Sequence, residues 1–123
     1  MGPGEAFPKR ARLTRKREFA LVLARGQVFP GRECLVRRLA NDGGRARLGI
    51  STPRRYGSSV ARNRFRRLVR EAFRRVQEAL GPHDFLVSPR KGLEVPTLEG
   101  VREDLLRTRT ASAAPPRGPG GRP

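Results

Sequence analysis

Apolar positions along the chain change period several times, and each change marks an element. In RARLGIS, residues 45 to 51, Ala46, Leu48 and Ile50 alternate with Arg45, Arg47 and Gly49. That period of two predicts a strand with one buried face. From Val60 to Leu80 the period is helical: Phe65, Leu68, Val69, Ala72, Phe73, Val76 and Leu80 fall on one side at 100° per residue. Ser58 or Ser59 can cap this helix, predicted over 59–80, and Gly81-Pro82 stops it. A helix is also predicted over 14–25, with Thr14 as N-cap, Glu18 in its first turns and Gly26 at a positive φ after its end. Residues 28 to 39 read as a strand interrupted by Pro30 and Gly31. Asn41-Asp42-Gly43-Gly44 is a turn signal that predicts a hairpin between this strand and the strand at 45–51. Phe85, Leu86 and Val87, bounded by Pro82 and Pro89, predict a buried strand over 83–88. Leu98, Val101, Leu105 and Leu106 give a last helix over 96–107, against which Gly100 counts.

The resulting order is α-β-β-α-β-α, and the fold class is α+β, an α/β two-layer sandwich on a small sheet. Residues 1–11 are expected to be a disordered arm, 12–107 the folded domain, and 108–123, TRTASAAPPRGPGGRP, a disordered tail. No internal repeat is visible.

Charge changes the picture. The chain of 123 residues carries a net charge of +17, with 28 basic against 11 acidic residues. Only Lys9, Lys16 and Lys91 are lysine; the rest are arginine, whose flat fork suits phosphate and base contacts. Self-repulsion on this scale calls for an anionic partner. The densest segment is VARNRFRRLVREAFRR, residues 60 to 75, in which seven of sixteen residues are arginine. Arg62, Arg66, Arg70 and Arg74 step along the flank of the apolar stripe, and Arg64, Arg67 and Arg75 lie farther round. Like charges at i,i+4 cost roughly 0.2–0.5 kcal/mol per pair, so a solvated face has little reason to repeat them. Glu71 and Glu78 are too few to neutralise them. Nucleic acid is the natural partner, and Asn63 between Arg62 and Arg64 can bond a phosphate or sugar, or hold a flanking arginine.

Other chemistry is sparse. Cys34 is the single cysteine and His83 the single histidine. Cys34 reads as a core thiol, and His83 as a strand-start or helix-stop residue. No carboxylates have metal-ligand spacing, so neither catalytic nor metal-ligating residues are expected. Residues 1–20 hold no continuous apolar run and no segment is long enough to span a membrane, which points to a cytoplasmic chain.

The segment RLGISTPRRYGSSVARNRFRRLVREAF, residues 47 to 73, resembles the protein subunit of bacterial ribonuclease P. The resemblance rests on Gly49-Ile50-Ser51, the basic pair Arg54-Arg55, Gly57, and Val60 followed by Arg62-Asn63-Arg64-Phe65-Arg66-Arg67. RLTRKREFALVLARG (12–26) and HDFLVSPRKG (83–92) are similar to the family's first helix and a later strand. The resemblance implies a left-handed β-α-β crossover, which general rules would not predict. It implies a ribozyme partner, the ribonuclease P RNA, in a one-to-one complex that removes the 5′ leader of precursor tRNA. Mg²⁺ would be bound mainly by RNA and substrate. RNA contacts would come from Arg54, Arg55, Arg62, Asn63, Arg64, Arg66, Arg67 and Arg70. The leader would lie between the first helix and the sheet, near Phe19, Arg15, Lys16 and Arg37. Phe19 remains open between core and leader contact; Phe65, Phe73 and Phe85 are core. The chain departs from the family at Leu23, Cys34 and Arg37, where aromatics are common, and at Pro53. A ribosomal or other structural RNA-binding protein would share the composition. A helix-turn-helix DNA reader fits less well, because strands separate the helices; a basic helix on a membrane surface is disfavoured because the apolar stripe is needed for the core.

Overall fold

The computed structural model describes residues 12–13, 15–90 and 96–110. Thr14 and the arm and tail beyond these limits therefore lie outside the described residues. In chain order the elements are helix α1 (Lys16–Arg25), strands β1 (Gln27–Pro30), β2 (Cys34–Ala40) and β3 (Arg47–Ile50), helix α2 (Ser59–Leu80), strand β4 (His83–Pro89) and helix α3 (Leu98–Arg107). The interrupted first strand is two strands: Gly31 N–H donates to Cys34 O at 2.9 Å, and β1 folds back antiparallel on β2, with Phe29 opposite Val36. Counting them as one recovers the predicted order.

The sheet runs β1-β2-β4-β3. This corrects the predicted hairpin across Asn41–Gly44. β4 lies between β2 and β3, antiparallel to β2 (Val36 opposite Val87) and parallel to β3 (Ile50 opposite Val87). Asn41 explains why its turn does not close. Its backbone N–H extends the β2–β4 pairing by donating to Pro82 O at 3.0 Å. Its side chain accepts from Gly43 N–H at 2.8 Å and donates to Asp84 Oδ1 at 2.7 Å and to Arg45 O. The turn is thereby fastened to β4 and carries the chain past it. β3 and β4 are joined through α2 as a β-α-β unit.

The main core lies on one face of the sheet, where Phe29, Val36, Leu48, Phe85 and Val87 meet Phe65, Val69, Phe73, Val76 and Leu80 of α2 and Val101 and Leu105 of α3. Phe73 and Phe85 meet edge to face, 6.0 Å between centroids. A smaller cluster of Leu13, Val22 and Leu86, with Phe19 and Leu39 packed on it, holds α1 to the opposite face. Thus α1 adds a partial third layer to the two-layer sandwich.

α3 and the β1–β2 turn hold each other. Asp104, 2% exposed, accepts from the backbone N–H of Arg32, Glu33 and Cys34 at 2.9, 2.8 and 3.0 Å. In return Glu33 accepts from the N–H of Thr97 at 2.6 Å and from its hydroxyl, and Thr97 caps α3 by accepting from Gly100 N–H. Gly100 counted against a helix in the sequence, yet the Glu33 carboxylate lies where its Cβ would be. Thr108, expected in the tail, is buried and donates to Leu105 O at 2.7 Å, so packing continues one residue beyond the predicted limit. Gly26 is also corrected: its φ is −72°, and it is needed because a Cβ would lie 2.5 Å from Val22 O.

Candidate nucleic-acid interface

α2 begins at Ser58, whose hydroxyl accepts from Ala61 N–H at 3.2 Å. Its buried side is Phe65, Val69, Ala72, Phe73, Val76 and Leu80, as the periodicity predicts. The arginines therefore stand on the remaining surface in two rows. Asn63, Arg64 and Arg67 point outward and are exposed; Arg62, Arg66 and Arg70 follow the flank, with Arg62 and Arg66 half-buried. Among the described residues no carboxylate pairs with Arg62, Arg64, Arg66, Arg67 or Arg70.

The next turn is different. Glu71 bonds Arg74 at 2.5 Å and Arg75 at 2.8 Å. Hydrogen bonds from Arg74 and then Arg75 hold its pKa down to about 2. The predicted ridge of four arginines thus ends at Arg70, and the bare positive surface from Arg62 to Arg70 occupies just over two turns, roughly 12 Å at 1.5 Å per residue. Because this pKa is depressed, the bridge supports the helix fully above the ordinary carboxylate range. That support fades as pH falls toward 2.

Arg54 and Arg55 lie on a single 3-10 turn, Arg54–Tyr56, between β3 and α2, and both are exposed. Tyr56 meets Phe65 edge to face at 5.6 Å, which fixes this turn against α2. The basic pair and the first turns of α2 therefore form one surface at the C-terminal end of β3.

The α1 side of the sheet carries Val28, Leu35, Arg37, Leu39, Arg47, Gly49, Asp84, Leu86 and Ser88, by strand alternation from the core positions. α1 packs over the part with Leu39, Leu86 and Gly49. Phe19 sits on Gly49, where an added Cβ would lie 3.1 Å from its ring. The paired residues Leu35 and Ser88, farther along, are half-buried. This part of the sheet beside α1 is where the sequence reading put a leader. Arg15 and Lys16 are exposed at the start of α1, and Phe19 is half-buried, part core and part rim. Arg37 is 8% exposed, so it belongs to the floor of this stretch and does not reach out from it.

The remaining reactive groups are engaged in structure. Cys34 is fully buried, and burial, followed by the adjacent Asp104 carboxylate, pushes its thiol far above the usual range. His83 begins β4 with Nδ1 3.3 Å from Leu80 O, and burial, then the charge of Arg38, lowers its pKa. Asp84 and Glu18 both bond Arg47, and Asp104 is surrounded by backbone amides. Among the described residues no three His, Cys, Asp or Glu side chains come together as a metal site, and no helix is long and apolar enough to cross a membrane. The Asp104 and Glu33 contacts were missed from sequence. One signal existed: Asp104 falls on the apolar stripe of Val101 and Leu105, where a carboxylate needs buried partners.

Comparison with known proteins places these features in context. The family model described as Ribonuclease P matches residues 7–111. The ribonuclease P protein component of an Exiguobacterium species is 33% identical over 97 residues, covering 79% of this chain and 85% of that protein. The component of Halorhodospira halophila is 40% identical over 92 residues, covering 73% and 75%. Among solved structures, the RNase P protein from Thermotoga maritima superposes with a TM-score of 0.69 at 33% identity, covering 82% of this chain and 98% of that one. With two thirds or more of the chain aligned to these relatives, and the arginine-rich start of α2 inside the matched region, the chain belongs to the ribonuclease P protein family.

Proposed function

We propose that the first three turns of α2, with the Arg54-Arg55 turn, bind the RNA subunit of ribonuclease P and the tRNA near its cleavage site. The 5′ leader of precursor tRNA lies beside α1 along the half-buried Leu35 and Ser88, against Phe19, Arg15 and Lys16, over a floor that includes Arg37. The observation that carries this reading is the run of five arginines without carboxylate partners among the described residues, ended by a turn whose arginines are paired. The protein contributes no hydrolytic group. It neutralises phosphates and orients RNA, in a complex of one protein to one RNA in the bacterial cytoplasm. Mg²⁺, on this reading, is held mainly by the RNA subunit and the substrate, whose phosphates suit it.

The test is cleavage of precursor tRNA at low Mg²⁺ by a cognate RNA subunit, with and without the protein. Stimulation at the mature 5′ end, with no cleavage by protein alone, is expected. Failure to stimulate would redirect the search to another structured RNA, the ribosome first.

The boundary at Glu71 gives a separate prediction. Glu71→Gln releases Arg74 and Arg75, so RNA affinity should rise at low salt. The slope of log affinity against log salt should steepen by about 0.7–0.9 for each phosphate gained. An unchanged slope would mean that the interface ends at Arg70 for reasons of shape.

A further inference from the structure

α1 is ten residues long and has a single buried side chain, Val22. A helix this short is marginal alone, and its apolar attachment is the small cluster of Leu13, Val22 and Leu86. Something else must set its position. Arg47, the first residue of β3, donates from Nε and Nη2 to the two oxygens of Asp84, both at 2.9 Å. Its third nitrogen, Nη1, donates to Glu18 Oε2 at 3.0 Å. The other Glu18 oxygen accepts from Arg15 N–H at 3.2 Å. One planar guanidinium thus spans the central strand and the first turn of α1. Asp84 is itself fixed by Asn41. The residue after Glu18 is Phe19, which rests on Gly49 two positions beyond Arg47.

We infer that Arg47 is a positioning residue for leader recognition: by clamping Glu18 to Asp84 it sets α1, and with it Arg15, Lys16 and Phe19, at a fixed height above the sheet. Lysine cannot replace it, since a point charge does not supply the bidentate fork and the third donor together. The inference rests on the leader reading above and adds a residue that touches neither RNA.

The test uses the reconstituted holoenzyme with Arg47→Met, Arg47→Lys and Glu18→Gln proteins. Affinity is measured for a precursor tRNA with a long leader and for the same tRNA with a one-nucleotide leader. Preference for the long leader should fall about five- to tenfold in Arg47→Met, the scale of one net hydrogen bond. It should fall less in Arg47→Lys and in Glu18→Gln, which leaves the Arg47–Asp84 pair intact. Affinity for the RNA subunit and for the short-leader substrate should not change. If Glu18→Gln and Arg47→Met both keep the wild-type preference, the clamp inference is overturned and the leader reading stands. A wild-type holoenzyme with no leader preference would overturn both. Should Arg47→Met fail to fold, Glu18→Gln alone decides.

Discussion

Asp104→Ala should lower the melting temperature by more than about 12 °C. The carboxylate is 2% exposed and accepts three backbone N–H groups from the β1–β2 turn. Its removal strands these donors, at roughly 1–3 kcal/mol for each one that stays buried. The amide of Arg32 can turn to water; those of Glu33 and Cys34 are deeper, and a total of about 3 kcal/mol follows. For a domain of this size each kcal/mol moves the midpoint by roughly 4–8 °C. Asp104→Asn should lose less, because one oxygen still accepts from Glu33 and Cys34 while the new NH₂ opposes Arg32. Thermal denaturation of the three proteins side by side checks the order. Equal stability of wild type and Asp104→Ala would mean that the turn finds other acceptors.

The second large effect is on binding. Arg64→Ala/Arg67→Ala removes the outward row of α2, and Arg62→Ala/Arg66→Ala removes the flank row. Each double variant should reduce the salt slope of RNA affinity by about 1.4–1.8, at 0.7–0.9 for each phosphate that is no longer neutralised. Between 50 and 200 mM salt that corresponds to roughly a tenfold change in how far affinity declines. Stability should move little for the outward row, because exposed substitutions typically stay within about 0.5 kcal/mol. Salt titrations of the RNA complex, paired with melting curves, separate the possibilities. A lower melting temperature with an unaltered slope would make the arginines structural.

Local patterns carried much of this architecture. α2 is found over the predicted residues because a 3.6-residue apolar period, a serine cap and Gly81-Pro82 all agree. The strand at β3 and the buried run of β4 were equally plain. What the sequence hid was pairing across distance. Asn41–Gly44 carries good turn chemistry, and local reading naturally joins the strands on either side of it. Only the arrival of β4 between them decides otherwise, and no residue near Asn41 announces that. The arginine surface was legible as a surplus of charge, but its end at Arg70 depends on rotamers that bring Arg74 and Arg75 onto Glu71. Arg37 looked available by type, but on the inner strand β2 it is 8% exposed. The Glu18–Arg47–Asp84 contact joins residues from three elements, so spacing alone could not reveal it.

The strand order also has a consequence during synthesis. β3 has one neighbour in the sheet, β4, and everything between Ile50 and His83 must be made before that neighbour exists. At ~5–20 residues per second a ribosome needs seconds for this stretch. Throughout that interval β3 lacks its partner in the sheet and has only the bridge between Arg12 and Leu48 on its other edge, and the apolar stripe of α2 has only part of a sheet to cover it. The nascent chain therefore presents its arginines, beside a ribosome made largely of RNA, before its core can close. The sheet itself cannot close until seven residues, His83–Pro89, complete it from its middle.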